Sequence, residues 1–561
     1  MGIHIGLALA AVWACAFASG LSAAEAEKPL WTAGVVTDTH VGRDRKGCEL
    51  VRQACQLFAA HDIDLFICCG DIADRHFPTA YPILKELTDA AFPRKPPRKL
   101  WVYANHDHID RQNEPFETVM GDVKRLLGAT NGLYDRIDVN GTPVVVVPQW
   151  IDLKRAGGLL DETMAKYPTG PVFVCDHVPA TGTGENAVTW GCEDRLRFYA
   201  KYPRVIVLTG HSHGSLRSEL NIWQGAFTSV NMGCLQVWEG HAVGAVPPSK
   251  RNYGAVVMEV YSDRVVFRRF DVRTKAEYSA DEPWTVPLPF DPATAPYRRE
   301  RTKRTEPMPA FPRGAKLTLS PNAPFTELGM TFPRAEGPHG TYAYKVQVTT
   351  TDGEPLSRLD LFGQFYLPER ERAAVLTRTM SAGYFDAGRR YRVRITPCNF
   401  FGVGGKPIEA EFAAPATFGD SVVTYEGRTP HRELGFFRYL KGNERRWPDR
   451  EGWFRMDRGD FRLELPKGVW AGPKGTRFRF TIDMETEQES VRTWTLVLRN
   501  PKPMENANER IATPEGKSGK MRYVIEFEKR RDDFDYYFLV REGDKGRIRF
   551  NHIKIERIDF K

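Results

Sequence analysis

Between Leu30 and about Arg273, six short and wholly apolar runs alternate with stretches of helical period, and this alternation leaves few folds open. The runs are Ala33–Val36, Leu65–Cys69, Leu100–Tyr103, Val144–Val147, Val172–Cys175 and Val205–Leu208. A strand that is apolar at every position has both faces buried, as in parallel sheets covered by helices. The covering helices are expected near 47–60, 80–91, 115–127, 156–166 and 191–201. Strand-like segments follow at 226–238, 253–260 and 264–271, so the sheet is expected to finish antiparallel. Residues 30–280 therefore read as an α/β domain.

The character of the chain then changes. Prolines from Pro283 to Pro312 and a basic run from Arg298 to Arg304, without apolar periodicity, read as a linker over 281–313. Residues 314–416 carry period-two strands such as Tyr342–Thr349 and Tyr391–Pro397 between Gly-rich turns, the pattern of a β-sandwich. Residues 418–561 are again strand-rich and fit a second sandwich of jelly-roll type. The stretch 391–405 resembles the late strand and turn of fibronectin type III domains. The closing alternation at 546–560 resembles the last strands of galactose-binding-like, carbohydrate-associated modules. Trp447, Trp453, Trp470, Trp494, Tyr536 and Tyr537 there could form a sugar-stacking face, although sandwich core accounts for most such aromatics.

A length of 561 residues leaves room for three or four domains, and 42% hydrophobic with 27% charged residues is ordinary for a globular chain. The formal charge of +8 is modest and sits partly in the run 298–304, so it gives little argument for a nucleic-acid partner. Ile3 to Leu21 is almost wholly apolar, and Ala24-Glu25-Ala26 has the small-x-small form of a cleavage signal. Residues 1–26 are therefore expected to direct export to a periplasmic, cell-surface or secreted location. The segment lacks Lys and Arg at its start, which makes a retained anchor the alternative. No other run approaches the ~20 apolar residues of a membrane span. Eight cysteines follow the signal without a dense framework or a Cys-x-x-Cys pair, which leaves disulfide pairing open and gives no thiolate metal site.

The apolar runs end in chemistry. Asp38-x-His40 follows the first, Gly70-Asp71-x-x-Asp74 the second, and Asn105-His106-Asp107 the third. Asp176-His177 and Gly210-His211-x-His213 follow the last two. Such strand ends are where α/β sheets put their ligands. Singly each motif is ambiguous: Asp71 could cap a helix, and His177 could be a hydrogen-bonded loop histidine. Jointly they offer Asp, Asn and His side chains suited to two divalent ions, and without thiolate they favour Mn, Fe or Zn over Ca.

This ordered set resembles the calcineurin-like metallophosphoesterase superfamily over roughly residues 30–275, and within it the cyclic-nucleotide phosphodiesterase-like branch. The purple acid phosphatase branch fits less well, since the motif at 70–74 is not followed by that branch's ligand Tyr. The resemblance implies a four-layer αββα domain and a dinuclear site. Asp38, His40 and His213 would hold one metal, Asn105, His177 and His211 the other, with Asp71 bridging and Asp74 orienting a ligand or loop. Ala104 replaces the family's usual Gly without removing a ligand. The resemblance further implies a metal-bridging hydroxide attacking phosphorus in line, His106 as acid, and Asp107 fixing its orientation. Arg43, Arg75, His76, His108 and Trp190, in loops after the ligand strands, are candidate substrate contacts.

The expected function is an exported two-metal phosphoesterase acting on a phosphorylated small molecule, with phosphodiesters ahead of monoesters. A phosphomonoesterase acting on nucleotides or sugar phosphates is the nearest alternative. A carbohydrate-binding surface protein with an incidental hydrolase fold, contacting glycans through 418–561, is the alternative from another class. A DNA exonuclease shares the motifs, but export and β-sandwiches argue against nucleic acid.

Overall fold

The computed structural model describes residues 27–42, 47–74, 77–108, 114–187, 191–236, 253–279, 282–298, 308–337, 340–367 and 369–416. Beyond these it describes the strands and short connections between 421 and 558. The expected export signal and Arg43, Arg75, His76 and Trp190 lie outside the described residues. Among those described, no helix is long and apolar enough to cross a membrane.

The first domain opens with β1 (Trp31–Val36), α1 (Cys48–Ala60), β2 (Leu65–Cys68), α2 (Phe77–Ala90) and β3 (Arg98–Trp101). Next come α3 (Asn105–His108), α4 (Phe116–Leu127), β4 (Asp135–Val139), β5 (Thr142–Val146) and α5 (Leu153–Lys166). Then follow β6 (Val172–Cys175), α6 (Glu193–Tyr199), β7 (Val205–Thr209), β8 (Ile222–Gln224) and β9 (Thr228–Asn231). The domain closes with β10 (Gly254–Val260), β11 (Arg264–Asp271), β12 (Ala276–Tyr278) and β13 (Trp284–Pro287).

Two sheets result, one in the order β12-β11-β10-β1-β2-β3 with β13 on β11, the other β4-β5-β6-β7-β9-β8. Strands β1, β2 and β3 run parallel, as do β5, β6, β7 and β9. The first sheet finishes antiparallel through β10 and β11. Side-chain alternation explains the apolar runs. Phe66 and Cys68 pack with Phe58, Tyr81, Leu84 and Val123 of the helix layer. Leu65, Ile67 and Cys69 face the second sheet with Phe173, Cys175, Ile206 and Leu208. On its far side that sheet packs Val174, Val205 and Val207 under Leu160 and Phe198. The layers are αββα.

Two differences from the sequence reading have a visible cause. Helix α5 starts at Leu153, earlier than 156, because the Asp152 carboxylate accepts from Lys154 N and Arg155 N at 2.9 and 3.2 Å. The expected linker contributes β13, an edge strand paired with β11, whose Trp284 and Val286 are buried in the inter-sheet core. Prolines hid it in the sequence, but Pro283 and Pro287 sit at the ends of the strand, where a missing N–H is tolerated. Trp284 also lies under the Arg269 guanidinium at 4.0 Å and donates to Glu219 Oε1 at 3.0 Å.

The second domain is a sandwich of β14 (Thr318–Pro321), β15 (Glu327–Pro333), β16 (Ala343–Thr350), β17 (Pro355–Phe362), β18 (Val375–Ser381), β19 (Arg390–Cys398) and β20 (Ile408–Ala413). Its sheets are β14-β15-β18 and β17-β16-β19-β20, packed around Leu328, Met330, Phe332, Tyr344, Val346 and Val393. The Tyr391 hydroxyl accepts from Asp386 N at 2.7 Å, the tyrosine corner of immunoglobulin-like sandwiches. The C-terminal region pairs a five-stranded with a six-stranded sheet, the former built on the long strand Gly546–Ile558. Of the expected sugar-stacking aromatics, Trp453 and Trp470 are buried core. Trp447 and the side chains of Trp494, Tyr536 and Tyr537 lie outside the described residues. The eight described cysteines are free thiols, and Cys48 and Cys55 are both buried on α1.

Candidate metal centre

Parallel strands place their C-terminal ends along one edge, so β1, β2 and β3 of one sheet and β6 and β7 of the other release their loops into a common space. Asp38 and His40, Asp71, Asn105, His177, and His211 with His213 stand in those loops. Asp38, His40, Asp71, His211 and His213 all adopt positive φ, between 41° and 63°. Non-glycine residues hold this conformation at a cost that surrounding contacts must offset, and functional sites collect it. Glycine serves two close approaches among these loops. A Cβ at Gly70 (φ 101°) would stand 2.4 Å from His177 Nδ1, and one at Gly210 would stand 1.9 Å from Thr37 Oγ1.

Ligand atoms bound about 2.1 Å from one metal stand roughly 3–3.5 Å from each other. His213 Nε2 lies 2.9 Å from Asp38 Oδ1 and 3.4 Å from His40 Nε2. His177 Nε2 lies 3.2 Å from Asp71 Oδ2, and His40 Nε2 lies 3.9 Å from the same oxygen. One group of close donors is Asp38, His40, Asp71 and His213, and another is Asp71, His177 and His211; Asp71 belongs to both. A third, His40, Asp74 and His106, adjoins the first through His40.

The surroundings prepare these atoms for a cation. Each carboxylate has one oxygen tied to the protein: Asp38 Oδ2 accepts from Thr37 Oγ1 and His211 N, and Asp71 Oδ1 accepts from His106 N. The other oxygen of each faces the histidines. His177 Nδ1 donates to Cys69 O at 2.7 Å, which leaves Nε2, a buried atom without a hydrogen bond among the described residues, as the ring atom that would meet a cation. Asn105 Oδ1 is likewise buried without one, while its N–H donates to Gln149 Oε1 at 2.8 Å. Buried carbonyl, carboxylate and imidazole atoms in this arrangement fit divalent metal.

Electrostatics agree. Burial raises the Asp38 carboxyl, but His213 and His177 outweigh it and hold the group at about 2. Asp71 is also held low, with His177 overcoming its burial. Burial pushes His40 and His211 down to about 4, which keeps them neutral donors. Burial lowers His177 as well, yet Asp71 and Asp38 lift it to about 9, so a cation bound at Nε2 would displace a proton. Both carboxylates, Asp38 and Asp71, stay ionised.

Behind the donors, two expectations are corrected. Asp107 does not orient His106; Asp74 does, accepting from His106 Nδ1 at 3.0 Å. Asp107 is buried and accepts from Ile72 N, Ala73 N, Ala104 N and the Tyr81 hydroxyl, pinning the loop after β2 to the loop after β3. Burial, then Asp71, pushes its pKa up to about 7. His108, a candidate substrate contact, is buried instead, with Nδ1 3.0 Å from the Tyr103 hydroxyl and its ring against Trp150.

Several supporting residues escaped the sequence reading. Asn231 Nδ2 donates to Gly210 O at 2.9 Å and Ser212 Oγ at 3.1 Å, pinning the turn between the two histidines. Arg195 donates to Asp176 Oδ2 at 2.6 Å and to Gln149 O, which ties α6 to the ends of β5 and β6. Asn231 ends a strand as the ligands do, and that place was its one visible signal.

The family model described as calcineurin-like phosphoesterase matches residues 32–215. Solved structures similar to this chain include a dimetal phosphatase from Danio rerio, at 12% identity over 46% of this chain and 99% of that one, with a TM-score of 0.33. A purple acid phosphatase from yellow lupin (Lupinus luteus) seeds aligns at 12% identity over 46% and 53%, with a TM-score of 0.33. A two-domain fibronectin type III segment of chicken tenascin aligns at 10% identity over 44% and 99%, with a TM-score of 0.14. Likeness at these scores says nothing of shared substrates. A search of curated proteins finds no match. The chain thus carries a calcineurin-like phosphoesterase domain over residues 32–215, with its Asp and His cluster where the two sheets meet.

Proposed function

We propose that the chain is an exported, metal-dependent phosphoesterase that hydrolyses phosphodiesters of small molecules in preference to monoesters. The observation that carries this reading is Asp71, whose carboxylate belongs to both groups of close donors. Donor groups that share a carboxylate suit two adjacent cations. Asp38, His40 and His213 would hold one, and Asn105, His177 and His211 the other. Bound divalent ions polarise a phosphoryl group and acidify a water.

The chain's own residues position the proton. Asp74 accepts the Nδ1 proton of His106, so Nε2 is the ring atom left to deliver a proton to the leaving oxygen. The ring stands edge-on to His40 with centroids 4.5 Å apart, beside the donor cluster. A diester expels an alkoxide of high proton affinity, and a positioned His106 meets that need. Export rests on the apolar stretch from Ile3 to Leu21 and the Ala24-Glu25-Ala26 signal.

The test is turnover of an aryl phosphodiester and its monoester by the purified chain with Mn, Fe or Zn, and with chelator. Diester hydrolysis lost to chelator and to Asp71→Ala is expected. Absence of turnover under every metal would sink the reading, and faster monoester hydrolysis would overturn the diester preference. For export, a mature chain beginning near residue 27 outside the cytoplasm is expected.

A further inference from the structure

The second domain touches the loops that carry the donor cluster. Tyr342, just before β16, has its ring 5.2 Å from both Phe365 and Phe400, which meet each other at 4.9 Å and 81°. These rings close over Cys234 of the first domain, and Cys234, Phe365 and Phe400 are all buried. The Tyr342 hydroxyl emerges from this apolar plug and donates to Glu185 Oε1 at 3.1 Å.

Glu185 is itself 2% exposed, and its other oxygen accepts from Ser215 N at 2.8 Å. Its neighbour Asn186 donates to Ser212 O at 3.0 Å. The turn they grip carries His211 and His213. The plug braces Asp38 as well. Immediately after Cys234, Leu235 N donates to Thr37 O at 3.0 Å and Gln236 N to Asp38 O at 3.3 Å. One inter-domain contact therefore backs both Asp38 and His213, whose facing atoms are 2.9 Å apart.

We infer that Tyr342 is a positioning residue for the metal centre. Through Glu185, the fibronectin-like domain sets the place of the turn bearing His211 and His213. This rests on the reading of the cluster as a metal site. Removing a donor from a buried carboxylate weakens its hold, and the bond to Ser215 N then keeps a less defined geometry. The sandwich is in this sense part of the hydrolytic unit.

The experiment compares Tyr342→Phe with Tyr391→Phe in the full chain. Tyr391→Phe removes a hydroxyl from the same sandwich that accepts from Asp386 N. Mn2+ titration followed by the spin-resonance signal of the free ion reports each site. Amide exchange at Ser215 in the presence of chelator reports the turn without metal. Tyr342→Phe is expected to bind one of two ions about three- to tenfold more weakly. Excess Mn2+ should restore wild-type kcat, and Ser215 should exchange faster, while Tyr391→Phe matches wild type in both readouts. Unchanged Mn2+ binding and Ser215 exchange in Tyr342→Phe would overturn the inference. An equal loss in Tyr391→Phe would also overturn it, as general softening of the sandwich. Should the wild-type chain bind no Mn2+, the metal reading fails, and Ser215 exchange alone still decides the role of Tyr342.

Discussion

His106 lies between two carboxylates in function, and the nearer one in sequence is not its partner. Neighbouring residues in a helical turn do not face each other, so His106 reaches the cluster while Asp107 turns into the fold. Asp74, thirty-two positions away, meets the ring instead. Asp74→Asn is expected to lower kcat about 10- to 100-fold with metal content and unfolding midpoint unchanged. Asp107→Asn would turn an amide NH2 toward N–H donors, because both carboxylate oxygens accept from the backbone. Denaturant melts should show a loss of about 2–4 kcal/mol. A catalytic defect at full stability in Asp107→Asn would reverse this division of roles. Metal analysis separates a shared donor from an unshared one: Asp71→Ala should retain neither ion, whereas Asp38→Ala should retain one.

At the scale of elements, the strands were the legible part. Short apolar runs stood out because both faces of each strand are buried, and the donors stood out because they end those runs. Less visible was how closely the loops approach. A Cβ on Gly210 would also fall 2.5 Å from Asp38 Oδ2. Gly210→Ala should therefore displace that carboxylate and abolish metal binding, with the circular dichroism of the folded chain retained. Strand β13 was misread as linker because proline composition outweighed two buried positions. Trp284→Ala is expected to cost about 3–5 kcal/mol, read from chemical denaturation. A passive linker would tolerate the change.

For the whole molecule, the cluster is a seam between sheets. Asp38, His40, Asp71 and Asn105 follow strands of one sheet, and His177, His211 and His213 follow strands of the other. Metal held there should stabilise the folded domain, by about 2.7 kcal/mol at one hundredfold over Kd. Chelator should accordingly lower Tm, and calorimetry with and without chelator checks it. The domains behind are tied in turn, with Ser381 Oγ donating to Glu526 Oε1 at 2.6 Å and Arg522 pairing with Asp386 at 2.9 Å. The chain alone determined which residue types close each strand and in what order, since apolar period and motif spacing are local and read along one dimension. Tertiary structure decided which oxygen of Asp71 is shared, which carboxylate holds His106, and that Tyr342 meets Glu185 across 157 positions. Those are distances between segments far apart in the chain, set by how the layers pack, and no local pattern encodes them.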